Sequence, residues 1–334
     1  MRVALMIEGQ EGVTWEHWLA LARACETHGI EALFRSDHYL SQTDPARPAL
    51  DAWAVLSALA ARTEGFELGS LVSPVTFRPA AVLANSSATA NEISGGRVTL
   101  GMGTGWMAAE HEAFGFRFPP MPERVALFRE QIEAVRGYWD GKQRPRLIVG
   151  GSALSGTTRP AARFADEYNT IMATPEECAA RREKVARACE REGREPIPLS
   201  LMTGCAIGRD EAEARDRIRR RLERAGQDAD PDAYKEQRGS AAVLGTVEEA
   251  AERLRAFERA GVERVMLQHL DHTDLDMVEL LGRELAPAVV KLGQRQGDAA
   301  ELDDPRVAAG AVGVAGRDLL DQLVDQERVL AERR

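Results

Sequence analysis

The side chains that could carry chemistry fall in short clusters, each closing an apolar run. Asp37 and His38 end the run ALFRSDHY (32–39). An imidazole titrates near neutrality, so it can give or take a proton at physiological pH, and an adjacent carboxylate can orient or charge it. Glu8 ends the first run of the chain. Gly101, Gly103 and Gly105 in GMGTGW, and Gly150 and Gly151 in VGGSALSGTT, let a ligand approach the backbone closely. Ser152, Thr157, Thr158 and Arg159 stand behind the second turn, a set that suits a phosphate. GMGTGW does not follow the dinucleotide fingerprint, because it runs into FGFRFPPMP rather than into a helix. His269, Asp271 and His272 in QHLDHTD raise the alternative of a metal-dependent barrel hydrolase. That chemistry needs ligands from several other strand ends, and the first strand ends in Glu8-Gly9 without a second histidine pair, so no metal ligand is assigned. No G-x-S-x-G turn exists to anchor nucleophilic hydrolysis.

These clusters need a scaffold that gathers strand ends. Residues 2–8 form an apolar run, followed at 14–28 by Trp15, Trp18, Leu19, Ala22 and Cys25 at helical spacing and by Gly29. The alternation recurs: runs at 32–39, 67–75, 97–103, 146–152, 168–172, 199–208 and 264–270, with helical patterns between them. The helix at 123–139 carries a stripe of Val125, Phe128, Ile132, Val135 and Trp139, so one face packs on a sheet. Thr246 and Glu249 form a capping box before the helix at 247–260. Eight short apolar strands joined by helices predict a (β/α)8 TIM barrel, an α/β fold; a doubly wound sheet split over two domains is the alternative. In a barrel the strand ends listed above share one mouth. Two interruptions stand out, 105–122 and 226–246, and the second is expected to be a mobile lid. Residues 1–292 are read as the barrel domain, and 293–334 as a linker and terminal helix.

The chain has 334 residues with 43 Lys plus Arg against 53 Asp plus Glu, a formal charge of −10. That surplus argues against nucleic acid and anionic membranes as partners. The 44% hydrophobic and 29% charged content is that of a soluble globular protein. The N-terminus lacks the charged start, long apolar stretch and cleavage site of a signal peptide, and no run is long enough to span a membrane. Cys25, Cys178, Cys189 and Cys205 show no C-x-x-C spacing, which predicts a reduced cytoplasmic setting, and Cys178 and Cys189, eleven apart on a helical pattern, are read as core-facing.

Taken in order, FRSDHY (34–39), LGSLVSPVTFRPAAVLAN (68–85), the run from Ile93 to Trp139, RLIVGGS and TTRPAARFADEYN (146–169), and GTVEEAAERLRAFERAGVERVMLQ (245–268) resemble the bacterial-luciferase-like flavin and deazaflavin oxidoreductases. The likeness is strongest to the branch using coenzyme F420. It implies a hydride-transferring enzyme acting on a small organic substrate as a homodimer, with an FMNH2-dependent monooxygenase as the alternative. By the same resemblance, Asp37 and His38 are the catalytic pair, and His38 manages a proton beside the ring. Ser70–Leu71 matches the third-strand bulge where such enzymes hold a non-proline cis peptide against the ring. Gly103, Thr104 and Gly105 match a turn contacting the ring, and Gly150, Gly151 and Ser152 match a turn near the phosphate tail. Trp106 stands where the sugar-phosphate branch has a catalytic glutamate, so Trp106 and Phe114 are expected to form an apolar substrate wall. Arg35, Arg78 and Arg159 are the expected counter-charges for an anionic cofactor.

Overall fold

The computed structural model describes residues 1–289 apart from 142 and 154; the expected linker and terminal helix at 293–334 lie outside the described residues. Strand β1 (Arg2–Ile7) leads to α1 (Trp15–His28), which Thr14 caps by accepting from the His17 N–H and which ends at left-handed Gly29. Next come β2 (Ala32–Arg35) and α2 (Ala52–Ala60), then β3 (Glu67–Ser70), the two-residue β4 (Ser73–Pro74) and α3 (Ala80–Ile93). Strand β5 (Val98–Gly103) is followed by α4 (Ala108–Phe114) inside the expected 105–122 insertion, and then by α5 (Met121–Tyr138). The second half holds β6 (Arg146–Gly150), α6 (Ser155–Phe164), β7 (Glu167–Ile171), α7 (Pro175–Arg191), β8 (Leu199–Gly208) and α8 (Glu211–Arg224). It closes with α9 (Pro231–Arg238), β9 (Val243–Thr246), α10 (Val247–Arg259), β10 (Val262–Gln268) and α11 (Leu275–Leu280), which runs on through a π-helical turn at Leu281–Leu285.

Eight parallel strands close the barrel in the order β1, β2, β3, β5, β6, β7, β8, β10, with β10 pairing back to β1. Met6 lies opposite Gln268 and Ile7 opposite Arg35, so the ends of β10, β1 and β2 meet at one rim. Strand β4 adds to β5 at Met102 and Gly103, and β9 adds to the far end of β8 from Cys205 to Gly208. The sheet is buried on both faces, as a parallel barrel requires. Its outer face packs under the helices, while Ala4, Met6, Ala32, Phe34, Leu71, Ile148 and Met266 fill the interior. At the starts of the strands Arg264, fully buried, donates to Glu67 and Glu167 at 2.7 Å each and lies 5.0 Å over the Phe34 ring.

The 226–246 segment, expected to be a mobile lid, carries elements and a small core of its own. Asp230 caps α9, and Ala242 and Leu244 pack with Tyr234, Ala206, Ile218 and Leu222 in a small core of their own. Apolar residues in what reads as a Gly- and Ser-rich linker are the reason: they build a ninth helix and an added strand beside the mouth. All four cysteines are free and buried. No helix among the described residues is long and apolar enough to cross a membrane.

Candidate functional site

The mouth is built where the strands end. His38 lies three residues past β2, and its Nδ1 is 2.8 Å from Oε2 of Glu110, a fully buried residue of α4. The other oxygen, Oε1, accepts from the backbone N–H of Tyr39 and, at 3.1 Å, from that of Leu40. A carboxylate placed as acceptor to all three donors assigns the imidazole proton to Nδ1 and leaves Nε2 with no partner among the described residues. Burial pulls the His38 pKa down, but the Glu110 hydrogen bond and the charges of Glu110, Glu8 and Asp37 outweigh it, and the net direction is upward. Trp106 meets the imidazole edge-on with ring centroids 5.6 Å apart, and 45% of Trp106 stays exposed.

Asp37 does not orient His38. Its Oδ2 accepts from Arg78 at 2.7 Å, and its buried Oδ1 has no hydrogen-bond partner among the described residues. Arg78 also donates to the Tyr39 hydroxyl and to Asp51 at 2.7 Å, and Tyr39 donates to Asp51 at 2.7 Å. The Arg78 guanidinium is held charged by these partners against the cost of burial. Phe114 stacks near Tyr39 and Phe116, so it extends the wall through Tyr39 rather than touching His38.

The floor departs from expectation by one bond: the cis peptide joins Leu71 to Val72, not Ser70 to Leu71. Ser70 turns its hydroxyl away from the mouth, accepting from the Gly101 N–H at 3.1 Å and lying 3.3 Å from the Gly101 carbonyl. Leu71 is buried in the barrel interior and Val72 caps it. The glycines exist to let Val72 sit there: a Cβ on Gly103 would lie 2.5 Å from Val72 Cγ2, and one on Gly150 would lie 2.9 Å from Val72 Cγ1. Beside this floor Thr104 and Gly105 are half-buried, and Gly105 takes a φ of 79° and accepts from Arg124 through its carbonyl at 3.2 Å. Gly151 and Ser152 line the next turn, where the Tyr168 hydroxyl accepts from the Ala153 N–H at 2.9 Å and bonds Thr157 at 2.8 Å. A Cβ on Gly151 would lie 2.8 Å from that hydroxyl.

The expected counter-charges are otherwise engaged. Arg35 is buried, donates to the carbonyls of Ser36, Leu50 and Asp51 and lies 5.0 Å over Trp18, with burial lowering its pKa to about 10. Arg159 projects from the outer face of α6 to Glu192 at 2.8 Å. The QHLDHTD segment is equally committed. His269 Nε2 sits 3.0 Å from the Asp274 carbonyl, Asp271 accepts from Arg224 at 2.8 Å, and Asp274 accepts from Arg217 and Arg220 at 2.9 and 2.7 Å. Among the described residues no group of three or more such side chains is placed to hold a metal.

Sequence reasoning missed Glu110 and His111. His111 bonds Thr76 Oγ1 at 2.6 Å and the Met107 carbonyl at 2.7 Å, pinning α4 onto the loop after β4; burial holds its pKa below the usual value. The available signal was the spacing Met107, Glu110, His111, Phe114, an i, i+3, i+4, i+7 stripe that turns both polar residues toward the barrel.

The floor of Leu71–Val72 bordered by glycine backbone, the orphaned Asp37 oxygen and the free His38 Nε2 fit a planar ring with polar edges. The chain is 36% identical over 115 residues to an F420-dependent glucose-6-phosphate dehydrogenase of Amycolatopsis mediterranei (strain U-32), covering 34% of each chain. It is 25% identical over 215 residues to a 5,10-methylenetetrahydromethanopterin reductase of Methanolobus tindarius, covering 58% of this chain and 62% of the other. The matched stretch thus spans about a third of the length of the curated dehydrogenase. The solved F420-dependent secondary alcohol dehydrogenase in complex with an F420-acetone adduct superposes with a TM-score of 0.72 at 18% identity, over 86% of this chain and 98% of that one. The profile described as luciferase-like monooxygenase matches residues 2–264. With that match over most of its length, and with a closed eight-stranded barrel carrying a glycine-walled floor, the chain belongs to the luciferase-like monooxygenase family.

Proposed function

We propose that this protein is an F420-dependent oxidoreductase in which His38 handles the proton that accompanies hydride transfer to or from a small organic substrate. The observation that carries the reading is the His38–Glu110 pair: a buried carboxylate fixes Nδ1–H and so leaves Nε2 to take or give a proton. The relatives named for F420 support the choice of cofactor. Leu71–Val72, Gly103, Thr104 and Gly105 would hold the ring, and Gly150, Gly151 and Ser152 its tail. When bound, the deazaflavin supplies a two-electron hydride acceptor or donor. The protein's own groups do the rest. Glu110 orients the imidazole, Trp106 excludes water from its edge, and the Arg78–Asp37–Asp51 network holds the loop that bears His38. The family profile's own description favours one second reading, an FMNH2-dependent monooxygenase.

The same proposal includes a barrel domain ending near residue 292, a homodimer and a cytoplasmic setting. Four free buried cysteines support the setting, and the exposed apolar Val82 and Ile93 on α3 support self-association. His38→Ala is the test: turnover with F420 falls by about 10²–10⁴, the usual contribution of a positioned acid or base, while F420 affinity is kept. Unchanged turnover removes His38 from the mechanism.

A further inference from the structure

Glu8 follows β1 directly and is partly exposed, unlike the five buried residues before it. Both of its oxygens are held by amide donors: Gln268 Nε2 lies 2.6 Å from Oε1, and Gln10 Nε2 lies 3.0 Å from Oε2. Each donor is itself fixed. Arg221, nearly fully buried, donates 2.8 Å to Gln268 Oε1 and 3.0 Å to the Gln268 carbonyl. Arg221 reaches that position only because Gly204 has no side chain, since a Cβ there would lie 2.4 Å from its guanidinium. Gln10 Oε1 accepts from Ser36 Oγ at 2.6 Å, and that oxygen in turn accepts from the Gly9 N–H at 3.0 Å. The orientation of both amides is therefore set, and each presents its NH2 to Glu8.

A carboxylate clamped this way is a preorganised acceptor with lone pairs left over. It shares the rim with His38, whose pKa its charge helps to raise, and with the exposed Trp106 ring. A fixed negative charge repels phosphates and carboxylates, and Arg35, Arg78 and Arg159, the expected counter-charges for an anionic cofactor, are committed to other partners and do not offset it. We infer that Glu8 is a specificity-determining residue of this mouth: the substrate position beside it takes small apolar molecules bearing a hydrogen-bond donor, a hydroxyl or a protonated amine, and disfavours a phosphate there, away from the Gly150–Ser152 turn proposed for the cofactor's tail. The inference rests on the mouth being the substrate site proposed above.

The test needs no cofactor. The full-length protein is labelled for histidine NMR, the His38 ring signal is assigned with His38→Asn, and cyclohexylamine and cyclohexyl phosphate are titrated in separately at pH 8. Cyclohexylamine is expected to shift the His38 signal, cyclohexyl phosphate is not, and Glu8→Gln is expected to weaken the amine at least tenfold while leaving the other histidine signals in place. The Gln268→Leu variant, which removes one clamp and keeps the charge, is expected to give an intermediate loss. Phosphate binding as tight as the amine, no amine binding at the mouth, or an unchanged amine affinity in Glu8→Gln each overturns the inference. A parallel F420 titration on the same sample judges the cofactor reading separately, because neither probe depends on it.

Discussion

Glu110→Gln is the substitution whose effect the structure defines most closely. Glutamine keeps the volume and one carbonyl oxygen, which can still accept from the Tyr39 and Leu40 N–H groups that Glu110 Oε1 now serves. Its other arm becomes an NH2, so His38 Nδ1, 2.8 Å away, must turn from donor to acceptor and its proton moves to Nε2. A hydrogen bond to a charged partner is worth about 1.5–3 kcal/mol. Its loss lowers the His38 pKa. The wrong tautomer at the reacting nitrogen should cost most of the ~10²–10⁴ that general acid–base catalysis supplies. Two assays read this: the pH titration of the His38 ring signal, and F420 turnover across pH. The stability consequence has a defined sign. His38 is raised above its unfolded value, so its contribution is fully present below about pH 6.5 and is lost as pH rises through the higher folded value. Glu110→Gln therefore destabilises the protein more at pH 6 than at pH 9. A variant with the wild-type His38 titration and wild-type turnover would refute the assigned tautomer.

Further outcomes follow from the same contacts. Gly103→Ala places a Cβ 2.5 Å from Val72 Cγ2, so it should displace the floor and weaken F420 binding, and Val72→Ala in the same chain should restore part of the loss; a singly substituted protein with normal affinity contradicts this. Arg264→Leu removes the shared cation of Glu67 and Glu167 at the starts of the strands, leaving Glu67 with Thr99 and Glu167 with Arg146 as the nearest remaining partners, and should cost up to about 3–5 kcal/mol in urea unfolding without changing F420 affinity. His269 and His272 are held neutral by burial with pKa values near 4, so the unfolded chain binds more protons between about pH 6.5 and 4 and stability falls as pH drops through that window. Urea midpoints measured at pH 7 and pH 5 should show the fall, and His272→Gln should flatten it.

The periodic parts of the chain were the readable ones. Each barrel strand is a short apolar run followed by a turn and a helix with one packed stripe, so strand order, mouth and the position of His38 all follow from local pattern. What stayed hidden depended on contacts distant in sequence. Glu110 lies 72 residues from His38 on a seven-residue helix; its stripe with Met107, His111 and Phe114 turns it toward the barrel but does not say which side chain it meets there. The pairing of Asp37 with Arg78 rather than with its neighbour His38 is of the same kind. Strand β9 escaped notice because its partner is the end of β8, whose ten residues look from sequence like one uninterrupted barrel strand.

In the function proposed above, this barrel mouth holds a deazaflavin and moves hydride without oxygen. That function is tested most directly by titrating the full-length protein with F420 and with FMN by fluorescence, and then following oxygen uptake by each reduced complex. The account predicts tight F420 binding, weaker FMN binding and a reduced F420 complex that consumes no oxygen. Preferential FMN binding with rapid oxygen consumption would contradict it.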